Sequence, residues 1–222
     1  MRRIAAIAAL VACVGCGASE DRLRRQLARG TGIVRLPAGQ VEIHSELVVG
    51  DGAQELVIEG APSGSTLRAA ADFEGAALLV IRSARRVSLR RFSLDGNRTA
   101  LEKPSGLPPS DVPFYHFTRA SGILILEAED VHAEDLRISN VAGFAVLAAR
   151  SRRVDLRNLE VRASGGRNQA GRNNATGGIL LEEGVDGFRV AGCKFFGVRG
   201  NGVWTHSLSS SPRNSRGRIE DN

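Results

Sequence analysis

Aromatic side chains are scarce in this chain of 222 residues: 5%, with one Trp and one Tyr. That excludes a core built on large rings and leaves the packing to aliphatic residues. Lysine is nearly missing as well. Only Lys103 and Lys194 occur, so the formal net charge of +6 is almost entirely arginine. Of the three cysteines, Cys13 and Cys16 lie near the start and Cys193 alone stands in the body, which excludes an intradomain disulfide. No Cys/His cluster has zinc-site spacing, so the sequence assigns no metal ligands. No apolar run is long enough to span a bilayer as a helix. No recognition helix, zinc finger or aromatic RNA-binding motif is present, so nucleic acid is not an expected partner. The basic excess fits either an acidic partner or arginines that decorate solvent faces.

What the chain does contain is a repeat. Ala133, Leu136 and Ile138 recur 23 residues later as Leu156, Leu159 and Val161. The same apolar-x-x-apolar-x-apolar spacing appears at Leu89, Phe92 and Leu94, and again at Val190, Cys193 and Phe195. Charged or small polar residues mostly fill the gaps. Each unit also holds a second short run: Leu78 to Ile81, Ile123 to Leu126, Phe144 to Leu147, and Ile179 to Leu181. These runs are too short for helices and have Gly, Ser, Asn or Asp close by, which reads as strand. Short strands at such a period predict a solenoid, specifically an all-β parallel β-helix with one coil per period.

The stretch Val34-Arg35-Leu36-Pro37-Ala38-Gly39, continuing through Ile43, Leu47 and Val49 to Leu56-Val57-Ile58-Glu59-Gly60, resembles the opening coils of the pectate-lyase-like right-handed parallel β-helix superfamily. Phe92-Ser93-Leu94-Asp95-Gly96-Asn97 carries the same resemblance. The likeness covers roughly residues 30 to 222 and speaks for fold more than activity, since that superfamily includes lyases, hydrolases, epimerases and adhesins. It implies a carbohydrate ligand, such as an acidic polysaccharide, and it admits calcium as a cofactor by resemblance only. The Asp cluster and Gly-His-Gly of polygalacturonase-like hydrolases are missing, as is the Asp-rich calcium site of pectate lyases.

The amino terminus reads as an export signal. Met1-Arg2-Arg3 is a basic start and Ile4 to Ala12 an apolar stretch. Leu10-Val11-Ala12-Cys13 resembles a lipobox, and Val14-Gly15-Cys16 is a second candidate. Residues 1–16 are therefore expected to be a signal with lipidation at Cys16 or Cys13, which implies a membrane-anchored envelope protein. Residues 19–30 predict a short helix, with Ser19 as N-cap, Leu23 and Leu27 on one face and Gly30 as stop, covering the open end of the first coil.

Residues 31–222 are expected to form the solenoid, with excursions at 96–121, 165–178 and 205–217. Insertions in solenoids gather on one face and build a binding surface there, so the three loops are expected to wall one cleft. Ile219 reads as the first inward position of a coil whose remainder is not there, so a truncated helix, or a partner covering the last coil, is expected.

The strongest candidate site is Asn201, Trp204 and His206 with Arg213, Asn214 and Arg216. If Val203 points inward, Trp204 and His206 point out, offering an apolar plate for a sugar and a group that moves a proton near neutrality. His206 as base and Arg213 as carboxylate neutraliser would suit a lyase, hydrolase or epimerase. A non-catalytic binding scaffold and a purely structural solenoid are the alternatives. Asp95 and Asn97 at a coil exit, Tyr115 and His116 in the first excursion, and Arg167, Asn168, Arg172, Asn173 and Asn174 in the second are further candidates. Asn140 and Asn158 read as turn residues, His44 and His132 as surface.

Overall fold

Alternation of apolar and charged residues makes one face of a coil, and stacking of coils makes the molecule. In the computed structural model, which describes residues 16–104, 106 and 109–222, the chain is a right-handed parallel β-helix. The first face stacks seven parallel strands: Gly32–Arg35, Gln54–Glu59, Arg85–Arg90, Glu129–Glu134, Arg152–Arg157, Arg189–Ala191 and Arg218–Glu220. Leu89, Ala133, Leu156 and Val190 lie in register from strand to strand. The second face carries Ser93–Asp95, Arg137–Ser139, Glu160–Arg162 and Lys194–Phe196, which align Leu94, Ile138, Val161 and Phe195. The third carries Ser121–Leu126, Phe144–Ala149, Gly177–Glu182 and Val203–His206. In the first two coils, single bent strands, Gly39–Val49 and Ser65–Arg82, run through both the second and third faces.

Single residues in the left-handed conformation turn the corners. Arg91, Asp135 and Asn158 do so between the first and second faces, at φ 55°, 53° and 52°. Such backbone costs a non-glycine residue roughly 1–2 kcal/mol. Their N–H groups offset the cost by bonding the next coil: Asp135 N donates to Arg157 O and Asn158 N to Ala191 O. Side chains add a polar ladder at the corners, with Asn158 Nδ2 donating to Asp135 and Asn140 Nδ2 to Asp95.

The third face differs from the first. On the first face most outward positions are polar or charged and at least partly accessible. Cross-coil ion pairs such as those of Glu59 with Arg35, Arg90 and Arg91 cover it, with Glu59 itself buried beneath its arginines. On the third face the outward positions are apolar too. Val80, Leu124, Phe144, Leu147 and Leu180 form a second buried cluster outside the coil. The one-turn helix Phe114–Phe117 covers it, with Phe114 edge-on to Phe144 at 5.8 Å. Burial on both sides explains why these runs are continuously apolar, whereas the first face alternates.

The amino-terminal helix spans Cys16–Leu27. Leu23 and Leu27 are buried in the core at the open end of the first coil. Ser19 lies inside this helix, so it is not the N-cap. The expectations for residues 1–15, including Cys13, lie outside the described residues, as does the side chain of Cys16. The excursions also need correction. Residues 97–120 and 163–176 leave between the second and third faces, but 207–217 leaves between the third and first faces. Two loops share a corner, not three. Cys193 is buried in the coil, and burial pushes its thiol pKa up.

Candidate functional site

The two excursions that share a corner stand on either side of a groove. It has a volume of about 660 Å³ and crosses successive coils from Phe73–Gly75 through Ala142 to Thr176. Lys103, Arg119 and Arg167 line it together with Phe73, Phe117 and Thr118. The three cations are exposed. Thr118 is 7% exposed, and its hydroxyl is buried with no hydrogen-bond partner. A groove of this size, with an aromatic wall and exposed cations at the rim, has the features of a small-molecule or oligomer site.

Glu102 holds the walls together. Its carboxylate accepts two bonds from Arg199 Nη1, at 2.6 and 2.9 Å, and one from the Arg167 amide at 2.7 Å. Arg98 lies 3.9 Å away and donates to the carbonyl of Gly165 at 3.3 Å. One acid from the first excursion therefore staples the second excursion and the turn before the last third-face strand. Burial pushes Glu102 up, but the Arg199 bond, the Arg167 amide and the charges of Arg199 and Arg98 outweigh it and hold the group below its ordinary range.

Trp204 and His206 do point away from the coil, and Val203 packs toward its core. They are not an open plate, however. Phe114 stands over both, 5.1 Å from Trp204 and 5.4 Å from His206. Below His206 lie two acids that sequence reasoning missed. Glu182 is fully buried and accepts the amide N–H groups of Phe114 and Tyr115 at 3.0 and 2.8 Å. Desolvation pushes its pKa up to about 7 despite those two bonds, and the charge of Glu183 adds to the rise. Glu183, at a left-handed corner, accepts Leu208 N at 2.9 Å. Glu182 and His206 are register partners on adjacent strands. They stand 24 residues apart in the chain, one more than the repeat, so the period itself was the signal that could have found them. Glu182, Glu183 and His206 are the described residues whose donor atoms could hold a metal ion.

The remaining candidates are spread over the fold. Asn214 stitches backbone: its carbonyl oxygen accepts from Gly184 and Val185, and its amide donates to Leu181 O and His206 O. Arg216 pairs with Asp186, with Nε 2.7 Å from the carboxylate. Arg213 is exposed, and among the described residues no bond joins it to His206. Asn201 is exposed, and its carbonyl accepts Gly178 N. Asp95 caps the amide of Asn97, and Asn97 Nδ2 donates to Ala69 O, which makes them turn residues of the second face. Tyr115 and His116 stack on each other at 4.2 Å beside the Phe114 cover. Asn168 closes its own loop by accepting the amides of Ala170 and Arg172. Of the second-excursion candidates, Arg167 and Asn174 line the groove. His44 meets Asp72 at the surface, and His132 lies 3.5 Å from Asp155.

No protein-family model and no curated protein sequence matches the chain. Among solved structures it is similar to a protein of Parabacteroides merdae with a proposed glycosyl hydrolase activity. The TM-score is 0.63 at 14% identity, over 96% of this chain and 90% of the other. It is also similar to the A-module of a mannuronan C-5 epimerase from Azotobacter vinelandii, with TM-score 0.44 and 15% identity, over 92% of this chain and 59% of that one. At the first identity the likeness speaks for the fold.

Proposed function

We propose that the protein binds an acidic polysaccharide in the groove between its two corner excursions. The observation that carries this is the placement of Lys103, Arg119 and Arg167 around one groove with Phe73 and Phe117. Arginine matches a carboxylate bidentately, and an aromatic wall offers the apolar face that a sugar ring can lie on. The name of the Parabacteroides protein, a β-helix of similar extent, agrees in ligand class. Binding is the primary reading because Glu102 is fully engaged as a staple and His206 sits under Phe114, apart from the groove lining. The pectate-lyase-like kinship, and export with a lipid on Cys16 or Cys13, belong to the same proposal. A mass spectrum of the mature amino terminus tests the anchor.

Affinity electrophoresis against alginate, pectate, hyaluronan and dextran tests the groove. The acidic chains are expected to retard the protein, less so as salt rises, and Arg119→Ala with Arg167→Ala is expected to weaken the retardation. No retardation by any acidic chain, or equal retardation by dextran, would sink the reading. Unsaturated or newly reducing ends in the same incubations would move it from binding to turnover.

A further inference from the structure

A second site lies one strand further along the third face, away from the groove. His206 Nδ1 is 4.0 Å from Glu182 Oε2 and 3.9 Å from Glu183 Oε1. Both gaps are too long for hydrogen bonds. The nitrogen is nonetheless buried, with no hydrogen-bond partner. Glu182 is fully buried and Glu183 is 3% exposed. Among the described residues no lysine or arginine forms an ion pair with either, although the chain's other carboxylates are commonly met by arginine. Two buried carboxylates and an imidazole nitrogen thus come within 4.8 Å of one another, with no basic side chain among the described residues paired to either acid. Buried acids without a counter-charge are costly, and a metal ion is one standard way to meet them.

We propose that Glu182, Glu183 and His206 Nδ1 bind one divalent transition-metal ion of the Zn²⁺ class. Such ions sit about 2.0–2.2 Å from imidazole nitrogen and carboxylate oxygen, which places two tetrahedral ligands roughly 3.3–3.5 Å apart. The two gaps to His206 must therefore close by about half an ångström, and the Glu182–Glu183 gap, within 4.8 Å, by no more than about 1.4 Å. The outer shell is already built. The Phe114 and Tyr115 amides orient the Glu182 carboxylate, and the Leu208 amide orients Glu183. Asn214 Nδ2 and Glu183 N both donate to the His206 carbonyl, fixing that strand end. Partners of this kind hold ligands in place. The imidazole discriminates against Ca²⁺, which takes all-oxygen sites, and three protein ligands leave one tetrahedral position open. The bound ion ties Gly177–Glu182 to Val203–His206 and, through Glu182, to the Phe114–Phe117 cover.

The test uses the full chain, stripped with chelator and titrated with Zn²⁺, Mn²⁺ and Ca²⁺ by calorimetry and thermal melting. One equivalent of Zn²⁺ is expected to bind and to raise the Tm, while Ca²⁺ does neither. Glu183→Gln and His206→Ala are each expected to lose more than about 100-fold in Zn²⁺ affinity, since loss of an outer-shell partner alone costs about 10- to 100-fold. Trp204, with its ring 5.4 Å from His206, reports the event locally by fluorescence. If His206→Ala fails to fold, the Co²⁺ spectrum of the unaltered chain decides. Weak visible bands without a thiolate charge-transfer band support the site. A thiolate band, no binding at all, or unchanged affinity in Glu183→Gln overturns it.

Discussion

Glu102 and Glu182 perform the same mechanical task in opposite surroundings. Each is an acid that fastens distant segments by accepting backbone N–H groups, one from Arg167 at Glu102 and two from Phe114 and Tyr115 at Glu182. Glu102 is met by Arg199, with Arg98 close by, and is held below the ordinary carboxylate range. Glu182 is met by two neutral amides, is fully buried, and is pushed up to about 7. Two amide bonds do not balance the full desolvation of Glu182, whereas at the partly exposed Glu102 one guanidinium nitrogen shared by both carboxylate oxygens, with a second arginine near it, outweighs the milder burial. The groove walls are thus held by charge. The cover over the third face is held by apolar contact, with Glu182 as a directional pin.

The largest effect that can break this contrast comes from Phe114→Ala. If apolar packing holds the cover, the loss is about 3 kcal/mol by denaturant unfolding, and emission of Trp204, the only Trp, shifts to the red. Unchanged emission would mean that the cover rests on something else. Next is Glu102→Gln, which leaves Arg98 and Arg199 without their counter-charge. About 2–3 kcal/mol is expected, below the range for breaking a fully buried pair because both side chains stay partly exposed, together with weakened glycan retardation. Glu182→Gln, measured in chelator, keeps one good acceptor and strands one amide, at a cost of about 1 kcal/mol. If these two substitutions cost the same, the contrast between charged and neutral fastening fails.

The smallest expected effect is at the surface, where Arg216 and then Ser215 hold Asp186 down to about 2. Its folded value lies below its unfolded one. The stabilising contribution is therefore full above about 4 and fades as pH falls toward 2. Asp186→Asn should flatten the acid limb of thermal melts between those values. The change should be slight, because an exposed partner is well screened. An unaltered limb would show that the pair is not populated in solution.

The groove and the Glu182–Glu183–His206 cluster were unequally legible. Arg167 was visible as part of a polar loop, but Lys103 and Arg119 were not, because nothing in a string of residues says that two loops leave at one corner. Trp204 and His206 were legible in direction, since strand alternation fixes it. Their burial was not, because Phe114 arrives from some 90 residues away. Asn214 and Arg216 carry the chemistry of a binding site in the sequence and serve turns and ion pairs in the fold. The corners were half legible: Asn140 and Asn158 advertise a left-handed turn, whereas Arg91, Arg150 and Glu183 occupy the same conformation unannounced.

The sequence by itself determined the solenoid. Inward positions recur with the coil, and burial of apolar side chains at a fixed period admits one kind of stack, in which Ala133 lies beside Leu156 and Ile138 beside Val161. Only the tertiary structure decided what covers the third face, which loops meet across the groove, and which acids go unmet by arginine. Those outcomes depend on segments far apart in the chain meeting at one corner, and no local pattern encodes such a meeting.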